Sequence, residues 1–218
     1  MRWFYYIARF LVRLIAIFCI RCKVTGKKNI PRKGALLIVS NHLNNADPPL
    51  LSVSLKRTTW FMAKKELFET GWSNYFISGF GAFPVHRGKL DRKALRESEK
   101  ILSEGKALVM FPEASRSKDA QLQQAFPGSA LIAVRSGASI LPVGISGTEK
   151  MIGFWPIRLP KVKVNVGQPF HLPPVDGKIT GEKLDELTDF IMEHIAELLP
   201  EKYRGHYKDK VRTDDTQG

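Results

Sequence analysis

The sequence of 218 residues contains only two cysteines, Cys19 and Cys22. Two thiols are too few for a disulfide framework or for a four-ligand zinc site. They form a Cys-x-x-Cys pattern, but the strand–helix context of a redox motif does not surround them. Internal repeats and low-complexity linkers are also lacking. We therefore expect one globular domain that folds without a disulfide or a metal, in a reducing compartment.

The sequence also lacks acidic residues near its start, where nine Lys or Arg residues precede Asp47, the first carboxylate. Over the whole chain, 34 Lys and Arg outnumber 21 Asp and Glu, which gives a formal net charge of +13. Hydrophobic residues make up 44% and charged residues 25%, a composition that excludes a disordered or collagen-like chain. The basic balance fits nucleic acid, an anionic membrane or a phosphorylated substrate. We do not expect nucleic acid, because no binding motif for it is recognisable.

No uninterrupted apolar run is long enough to cross a membrane, which takes about 20 residues. Residues 1–20 are mostly aliphatic and aromatic, but Arg9 and Arg13 interrupt them. On a helix, Arg2, Arg9 and Arg13 form one narrow stripe on an apolar cylinder. This pattern predicts a helix in the membrane interface with its arginines among the lipid headgroups. A helix packed on the domain's own core stays an alternative. A signal peptide is less expected, because no small-x-small cleavage site follows Ile20.

The rest of the chain alternates β-rich runs with helical runs, which is typical of an α/β domain. The predicted strands are residues 35–40, 58–63, 107–111, 140–145 and 161–166, of which the last alternates strictly and should be half-exposed or at an edge. The predicted helices are residues 50–56, 92–103, 129–135 and 182–199. We expect a membrane-associating segment at 1–28, a single domain at 29–200 and a flexible charged tail at 201–218.

Polar residues cluster where the first predicted strand ends, which is where α/β sheets place their ligand sites. His42 can act as a general base near neutral pH, and a carboxylate can fix its tautomer. Pro48 disfavours helix at Asp47, so a turn through residues 44–46 can bring that carboxylate onto the imidazole. Since His-x4-Asp also arises by chance, a loop histidine beside an Asx turn is the alternative.

Two later apolar runs end in basic residues. Residues 82–88 include Arg87, and residues 111–117 include Glu113 and Arg116. Guanidinium groups suit a phosphate because they donate two parallel hydrogen bonds. Each arginine taken alone could equally be a surface residue. Three polar clusters in this order, each closing an apolar run, favour one shared site.

The order of these blocks resembles the glycerolipid acyltransferases of the 1-acyl-sn-glycerol-3-phosphate acyltransferase type. Members of that family carry Asn-His-x4-Asp, a glycine-to-arginine block, Phe-Pro-Glu-Gly-Thr-Arg-Ser and an apolar Val-Pro-Val strand. The corresponding segments here are Asn41-His42 with Asp47, Gly81 to Arg87, residues 111–117 and residues 140–144. The resemblance covers roughly residues 30–170. In one departure, Ala114-Ser115 replace the usual Gly-Thr, which places a side chain where glycine is common.

The resemblance implies a single-domain α/β fold with a mixed, mostly parallel sheet flanked by helices. It also implies that His42, oriented by Asp47, takes a proton from the free sn-2 hydroxyl of a 1-acyl-glycerol-3-phosphate. The alkoxide would attack the thioester of an acyl-carrier protein or coenzyme A and give phosphatidic acid in phospholipid biosynthesis. The alternatives are another acceptor, such as glycerol 3-phosphate or a lyso-aminolipid, and a peripheral lipid-binding protein without catalysis.

The resemblance further implies roles for the neighbouring residues. Arg87 and Arg116 would bind the acceptor phosphate, and the substrate-positioning residues would be Glu113, Ser115 and Asn41. Lys64 is a candidate oxyanion donor, with a structural salt bridge as the alternative. No metal and no cofactor beyond the acyl thioester is expected. The aromatic stretch 67–80 would line an acyl groove or belong to the core. An anionic membrane, approached from its cytoplasmic face, is the expected location.

Overall fold

A computed structural model describes residues 3–55, 57–86, 91–151, 159–175 and 177–210 of the chain. In this part of the chain the strands are β1 (Arg21–Thr25), β2 (Leu36–Ser40), β3 (Thr59–Lys64), β4 (Ala82–Val85), β5 (Ala107–Met110), β6 (Ser139–Ser146) and β7 (Lys161–Val166). The helices are α1 (Trp3–Cys19), α2 (Asp47–Ser54), α3 (Gly71–Gly79), α4 (Arg92–Ser103), α5 (Gly128–Ser136) and α6 (Gly181–Glu197). Short 3-10 turns connect several of them.

The strands form one sheet in the order β1-β7-β6-β2-β5-β3-β4. Every neighbouring pair is parallel except β6 and β7. Because β1 is parallel to β7, these two strands run opposite to the other five. The expected α/β fold with a mixed, mostly parallel sheet is confirmed.

The sheet is covered on both faces, and its central strands β2 and β5 are buried at every position. Leu37 and Val39 of β2 belong to the core under α4, α5 and α6, whereas Leu36 and Ile38 belong to the core under α2. Right-handed crossovers explain this arrangement. The connections through α2 and α3 lead along the sheet from β2 to β3 and then to β4, and both helices lie on one face. The connections through α4 and α5 lead in the opposite direction, from β4 to β5 and then to β6, and these helices lie on the other face.

All the predicted strands and helices are present, with ends that differ by at most three residues. The alternating strand β7 is half-exposed, as predicted, but it lies between β1 and β6 and not at an edge. The residue pattern did not predict α3 or β4. Strand β4 has only four residues and contains Pro84, which a sheet tolerates at its edge because one side needs no N–H donor.

Helix α1 packs on α2 through one side. Tyr5 and Ala8 are buried there. The Tyr5 hydroxyl lies 3.3 Å from Ser52 Oγ and accepts a hydrogen bond from the backbone N–H of Thr59 at 3.3 Å. This side of α1 therefore belongs to the folded domain, which is the alternative that the sequence left open.

The outer side of α1 carries seven large apolar residues that stay exposed, namely Tyr6, Ile7, Phe10, Leu11, Ile15, Ile17 and Phe18. Of the three arginines in the predicted stripe, Arg2 lies outside the described residues, and the other two point in different directions. Arg9 turns inward and donates to the carbonyls of Leu55 at 2.6 Å and Arg57 at 3.3 Å, while Arg13 is exposed. No helix among the described residues has the length and apolar character to cross a bilayer.

The predicted segment 1–28 extends too far, because residues 21–25 form β1. This strand pairs with β7 in a register that starts with Arg21 opposite Lys161. Its apolar residues Cys22 and Val24 pack against the core below α2. The alternation of apolar and polar residues in 21–25 is the strand signal that the prediction missed.

The predicted tail 201–218 is also wrong over its first part. Residues 201–203 and 205–210 form short 3-10 helices. Tyr203 and Tyr207 are buried, and the Tyr207 hydroxyl accepts the backbone N–H of Ala125 at 3.2 Å. The two aromatic rings hold this segment on the domain, although charged residues surround them in sequence. Residues 211–218 lie outside the described residues.

Candidate active site

The predicted site residues follow strands that end at one edge of the sheet. Strands β2, β5 and β3 are neighbours and run parallel. His42 follows β2, Glu113 and Arg116 follow β5, and Lys64 is the last residue of β3. The topology thus brings three segments that are distant in sequence to one edge of the sheet, which is where α/β sheets bind their ligands, although Lys64, Glu113 and Arg116 do not line the cavity that His42 lines.

His42 and Asp47 form a buried pair. His42 Nδ1 lies 2.9 Å from Asp47 Oδ2, and both side chains are almost entirely shielded from solvent. The same carboxylate oxygen accepts the backbone N–H groups of Leu43 and Asn44, each at 2.7 Å. Because an ionised carboxylate only accepts hydrogen bonds, Nδ1 carries the proton of the neutral ring. Nε2 is then the ring nitrogen that can take a proton from a substrate.

The local sequence explains why the pair forms. The Asn44 carbonyl accepts the N–H of Asp47 at 3.0 Å, and Asn44 Oδ1 accepts the N–H of Ala46 at 3.0 Å. The predicted turn through residues 44–46 is therefore present. Asp47 is the first residue of α2, so the expectation that Pro48 keeps it out of a helix is wrong, and the free N–H groups of the helix start favour its negative charge. The imidazole also stacks on the Phe111 ring at 4.2 Å between centroids, which fixes its plane.

Glu113 holds the backbone of this site. It is buried, Oε1 accepts the N–H of His42 at 3.0 Å, and Oε2 accepts the N–H of Gln123 at 2.9 Å. Burial raises the pKa of Glu113 to about 7, and this effect outweighs the two N–H donors, which lower the pKa. The His42 carbonyl in turn accepts the N–H of Ser117 at 2.8 Å. Glu113 therefore joins the histidine loop to the loop after β5.

The rest of the loop after β5 is more open. Arg116 and Ser115 are exposed, and the Ser115 hydroxyl donates to Gln123 Oε1 at 3.4 Å. Ala114 has φ 54°, in the left-handed region. This is the position where the resembling family has glycine, so the alanine side chain adds strain to the backbone. Arg116 lies at the same sheet edge as His42, as the phosphate assignment requires.

Asn41 is buried against β6 and does not face the crevice as a free group. Its Nδ2 donates to the Ile145 carbonyl at 2.9 Å, and its Oδ1 accepts the Ile145 N–H at 2.8 Å. These two bonds continue the pairing of β2 with β6 beyond the last backbone pair. The substrate-positioning role of Asn41 stays a prediction, and its observed contacts anchor the start of the histidine loop.

Lys64 is half-exposed and forms an ion pair with Glu66 at 3.3 Å. The salt-bridge alternative for this residue is therefore present in the structure. An exposed ion pair contributes little to stability and opens readily. The oxyanion role of Lys64 stays a prediction.

The sequence reasoning missed a second histidine–carboxylate pair at the same edge. His86 follows β4, and its Nδ1 lies 2.7 Å from Asp91 Oδ2. The spacing is again His-x4-Asp, a signal that the sequence offered. The Asp91 carboxylate caps α4 by accepting the N–H groups of Lys93 and Ala94. Arg87, the other predicted phosphate ligand, lies outside the described residues.

A cavity of about 350 Å³ opens beside His42. His86 and Asp91 also line it. The remaining lining is mainly apolar and comes from both sheet and helices, including Met62, Leu95, Met110, Phe126, Leu131 and Ile132. The expected groove residues in the stretch 67–80 do not line this cavity, and Trp72 is instead 80% exposed. An apolar cavity next to a buried base suits a long-chain substrate better than a sugar or nucleotide.

The two cysteines are free thiols and only partly buried. Burial raises the pKa of the Cys22 thiol, which keeps it protonated and disfavours the thiolate that redox chemistry needs. Across the described residues, no three His, Cys, Asp or Glu side chains are grouped as metal ligands would be.

Comparison with known proteins agrees with this geometry. The model of the family described as "Acyltransferase" matches residues 21–146, more than half of the chain. The chain belongs to the acyltransferase family. It is an enzyme, an O-acyltransferase.

Several acyltransferases resemble this one along most of their length. The 1-acyl-sn-glycerol-3-phosphate acyltransferase of Bacillus subtilis is 30% identical over 178 residues, covering 81% of this chain and 87% of the relative. The Borreliella burgdorferi protein of the same name is 26% identical, with coverages of 83% and 72%. The crystal structure of the 1-acyl-sn-glycerophosphate acyltransferase of Thermotoga maritima superposes with a TM-score of 0.63 at 27% identity, over 88% of this chain and 80% of that one.

Proposed function

We propose that this acyltransferase moves a fatty acyl group from an acyl thioester to the sn-2 hydroxyl of 1-acyl-glycerol-3-phosphate, forming phosphatidic acid for phospholipid biosynthesis. The observation that carries the proposal is the buried His42–Asp47 pair beside an apolar cavity. The names of the relatives from Bacillus subtilis and Borreliella burgdorferi support the acceptor. The donor is an acyl-carrier protein or acyl-coenzyme A.

In the proposed mechanism, His42 Nε2 removes the proton from the acceptor hydroxyl as that oxygen attacks the thioester carbonyl. Asp47, held by two backbone N–H groups, stabilises the imidazolium that forms. The tetrahedral intermediate expels the thiolate, and the imidazolium returns the proton to the sulfur. The ester bond forms as the thioester bond breaks, so no acyl-enzyme and no cofactor beyond the donor is needed.

The anionic groups of substrate and intermediate require donors. Arg116 is exposed at the catalytic edge and, with Arg87, would bind the acceptor phosphate. Lys64 is our candidate for the oxyanion, because it ends β3 two strands from β2. Its exposed ion pair with Glu66 can open without a large penalty.

The apolar cavity is the proposed place for an acyl chain. His42 lines it, so a chain lying in it can bring its reacting end to the imidazole. The cavity wall contains Met62 and Met110, whose flexible side chains adapt to different chains.

We also propose that the enzyme works on the cytoplasmic side of a membrane with an anionic surface. The exposed apolar side of α1 supports a helix lying in the interface, since such a surface is unfavourable in water. The acceptor carries a long acyl chain and resides in the same membrane. Replacing exposed Phe18 by Ser is expected to weaken sedimentation with anionic vesicles. An unchanged sedimentation would contradict this role of α1.

The test of the proposed reaction is an acceptor panel with one labelled acyl donor. Purified protein should acylate 1-acyl-glycerol-3-phosphate faster than glycerol 3-phosphate or a lyso-aminolipid. A preference for either of the others would reassign the acceptor and keep the mechanism. No turnover with any of them would contradict the proposal as a whole.

The same panel tests the phosphate site through Arg116→Ala. Loss of a bidentate, charge-assisted contact should raise the KM for the acceptor roughly 10-fold or more and leave the KM for the thioester close to wild type. An equal rise for both substrates would show that Arg116 does not read the acceptor phosphate.

A further inference from the structure

Helix α3 carries exposed aromatic side chains, and among the described residues they belong neither to the two buried core clusters nor to the lining of the cavity beside His42. Trp72 is 80% exposed, and Tyr75 and Phe76, three and four positions later, are 43% and 47% exposed. Leu67, just before the helix, is 45% exposed. We call these four residues the α3 patch. Aromatic residues at this helical spacing share one side, so they form one surface. Contiguous exposed apolar surface of this kind marks an interaction site.

The α3 patch lies on the same side of the sheet as the exposed side of α1. The crossovers through α2 and α3 advance in the same direction, so both helices cover one face, and α1 packs on α2. The rings of Tyr5 in α1 and Phe80, which follows α3, meet edge to face at 6.3 Å between centroids. The two apolar surfaces therefore lie on one face of the sheet, and the helices that carry them meet where α3 ends.

Positive charge borders the α1 side of this surface. A groove of about 780 Å³ between α1, β1 and α2 is lined by five basic residues and by no acidic one. Of these, Arg9 binds backbone carbonyls, whereas Arg13, Arg21, Lys23 and Lys27 are exposed. Apolar side chains next to exposed cations match the order of acyl chains and anionic headgroups in a bilayer. This charge pattern favours a lipid surface over a protein partner.

The start of α3 is close to the catalytic edge. Strand β3 ends at Lys64 on that edge, and only residues 65–70 separate it from α3. The helix then runs back towards Phe80, near the opposite end of the sheet. The position of Phe80 follows from the next residue, since the Gly81 carbonyl accepts the N–H of Phe61 near the start of β3. Trp72 thus marks the end of α3 nearest to the edge that carries His42.

We propose that the α3 patch is a second membrane-inserting element, with Trp72 at the boundary between headgroups and acyl chains. Contact through α1 alone would leave the domain free to tilt, whereas contact through α1 and α3 turns the catalytic edge towards the bilayer. The inference rests on the proposed function, because it assumes an acceptor that is drawn from the membrane.

The test compares Trp72→Ser with the wild-type chain in two assays. In sedimentation with phosphatidylcholine vesicles that contain phosphatidylglycerol, the variant should partition about 10-fold more weakly, as expected for loss of part of a tryptophan's apolar area. Turnover of a long-chain acceptor embedded in the vesicles should fall by a similar factor. Turnover of a short-chain acceptor dissolved as monomers should stay at the wild-type level.

Phe190→Ser is the matched control, because Phe190 is a partly exposed aromatic residue on α6, on the other face of the sheet. It should bind vesicles as the wild type does, and thermal unfolding should show that both variants are folded.

Unchanged vesicle binding by Trp72→Ser would overturn the proposal. So would a defect that appears only with an acyl-carrier-protein donor, or a wild-type dimer that the variant loses, since these indicate a protein partner or a second copy. Vesicle binding that depends on Trp72 without any turnover would count against the proposed reaction and not against this surface.

Discussion

Two histidine–carboxylate pairs with the same spacing lie at one sheet edge, and their surroundings differ. In the first, Asp47 is fully buried and the His42 side chain is only 7% exposed. In the second, the His86 side chain is 49% exposed. The hydrogen-bond lengths are similar, at 2.9 Å and 2.7 Å, so contact alone does not distinguish a catalytic pair.

The difference lies in what the surrounding backbone does. The Asp47 carboxylate contacts the His42 ring and accepts the backbone N–H groups of the two residues that follow His42. Glu113 binds the backbone N–H of the same histidine, and the Phe111 ring stacks on its imidazole. Asp91 instead accepts N–H groups that begin α4, and its backbone contact with His86 is the main reason its pKa lies well below the usual range. The first pair is built around the imidazole, and the second is built around a helix end.

Replacing each histidine by alanine tests this distinction most directly. His42→Ala should lower kcat by roughly 10²- to 10⁴-fold, as expected when a general base is lost. His86→Ala should change kcat by less than about 10-fold, because this ring is not predicted to move the proton. Steady-state rates with labelled donor measure both. An equal loss of kcat in the two variants would show that burial does not distinguish the histidine that acts as the base.

The two carboxylates give a second comparison with smaller perturbation of shape. Asp47→Asn should lower kcat by about 10²-fold or more, because an amide at this position no longer enforces the tautomer with a free Nε2. Asp91→Asn should leave kcat near wild type, since asparagine also caps a helix. Circular dichroism on both variants checks that α2 and α4 are retained. A strong loss in the Asp91 variant would give the second pair a chemical role.

Glu113 gives a pH-dependent test of how the first pair is held. Burial raises its pKa from 4.5 to about 7, so the folded state binds its proton more tightly than the unfolded chain does. The contribution of Glu113 to the free energy of unfolding is therefore greatest below pH 4.5, falls as pH rises towards 7 and is constant above it. Between pH 5 and 8 the wild type should lose roughly 2 to 3 kcal/mol more than Glu113→Gln. Urea unfolding of both proteins at the two pH values measures this, and parallel pH curves would contradict it.

Ala114 allows a smaller test of the loop that carries Glu113. At φ 54° an alanine is strained, so Ala114→Gly should raise the free energy of unfolding by about 1 kcal/mol. Ala133→Gly, in the interior of α5, is the control and should lower it by about 1 kcal/mol or more, because glycine weakens the helix and removes a buried methyl group. If both substitutions destabilise the protein in denaturant unfolding, the strain at Ala114 is relieved by contacts around its side chain.

The parts of this architecture that are local in sequence could be predicted. Apolar runs indicated β2, β5 and β6, a regular helical spacing indicated α6, and the residues before Pro48 indicated the turn that brings Asp47 to His42. These signals work because each is produced by neighbours a few residues apart.

Some missed features had a local signal, namely the alternation in β1 and the His-x4-Asp spacing of His86 and Asp91. The others depend on partners distant in the chain, and the segment after α6 is ordered because Tyr203 and Tyr207 reach the core. The inward turn of Arg9 required the carbonyls at the end of α2. The hydrogen bonds of Glu113 and Asn41 with backbone groups could not be predicted either. A sequence shows which side chains can form hydrogen bonds, but it does not show which backbone groups will lie close to them.

The pairing of β1 with β7 has a consequence for synthesis. Arg21 finds its partner only at Lys161, so a ribosome adding 5–20 residues per second needs roughly 7–30 s to deliver the matching strand. During this interval α1 has emerged, but the sheet edge beneath it is unfinished. The pairing of β1 with β7 is thus a late event of co-translational folding, and it completes the sheet only after residue 161 has been synthesised.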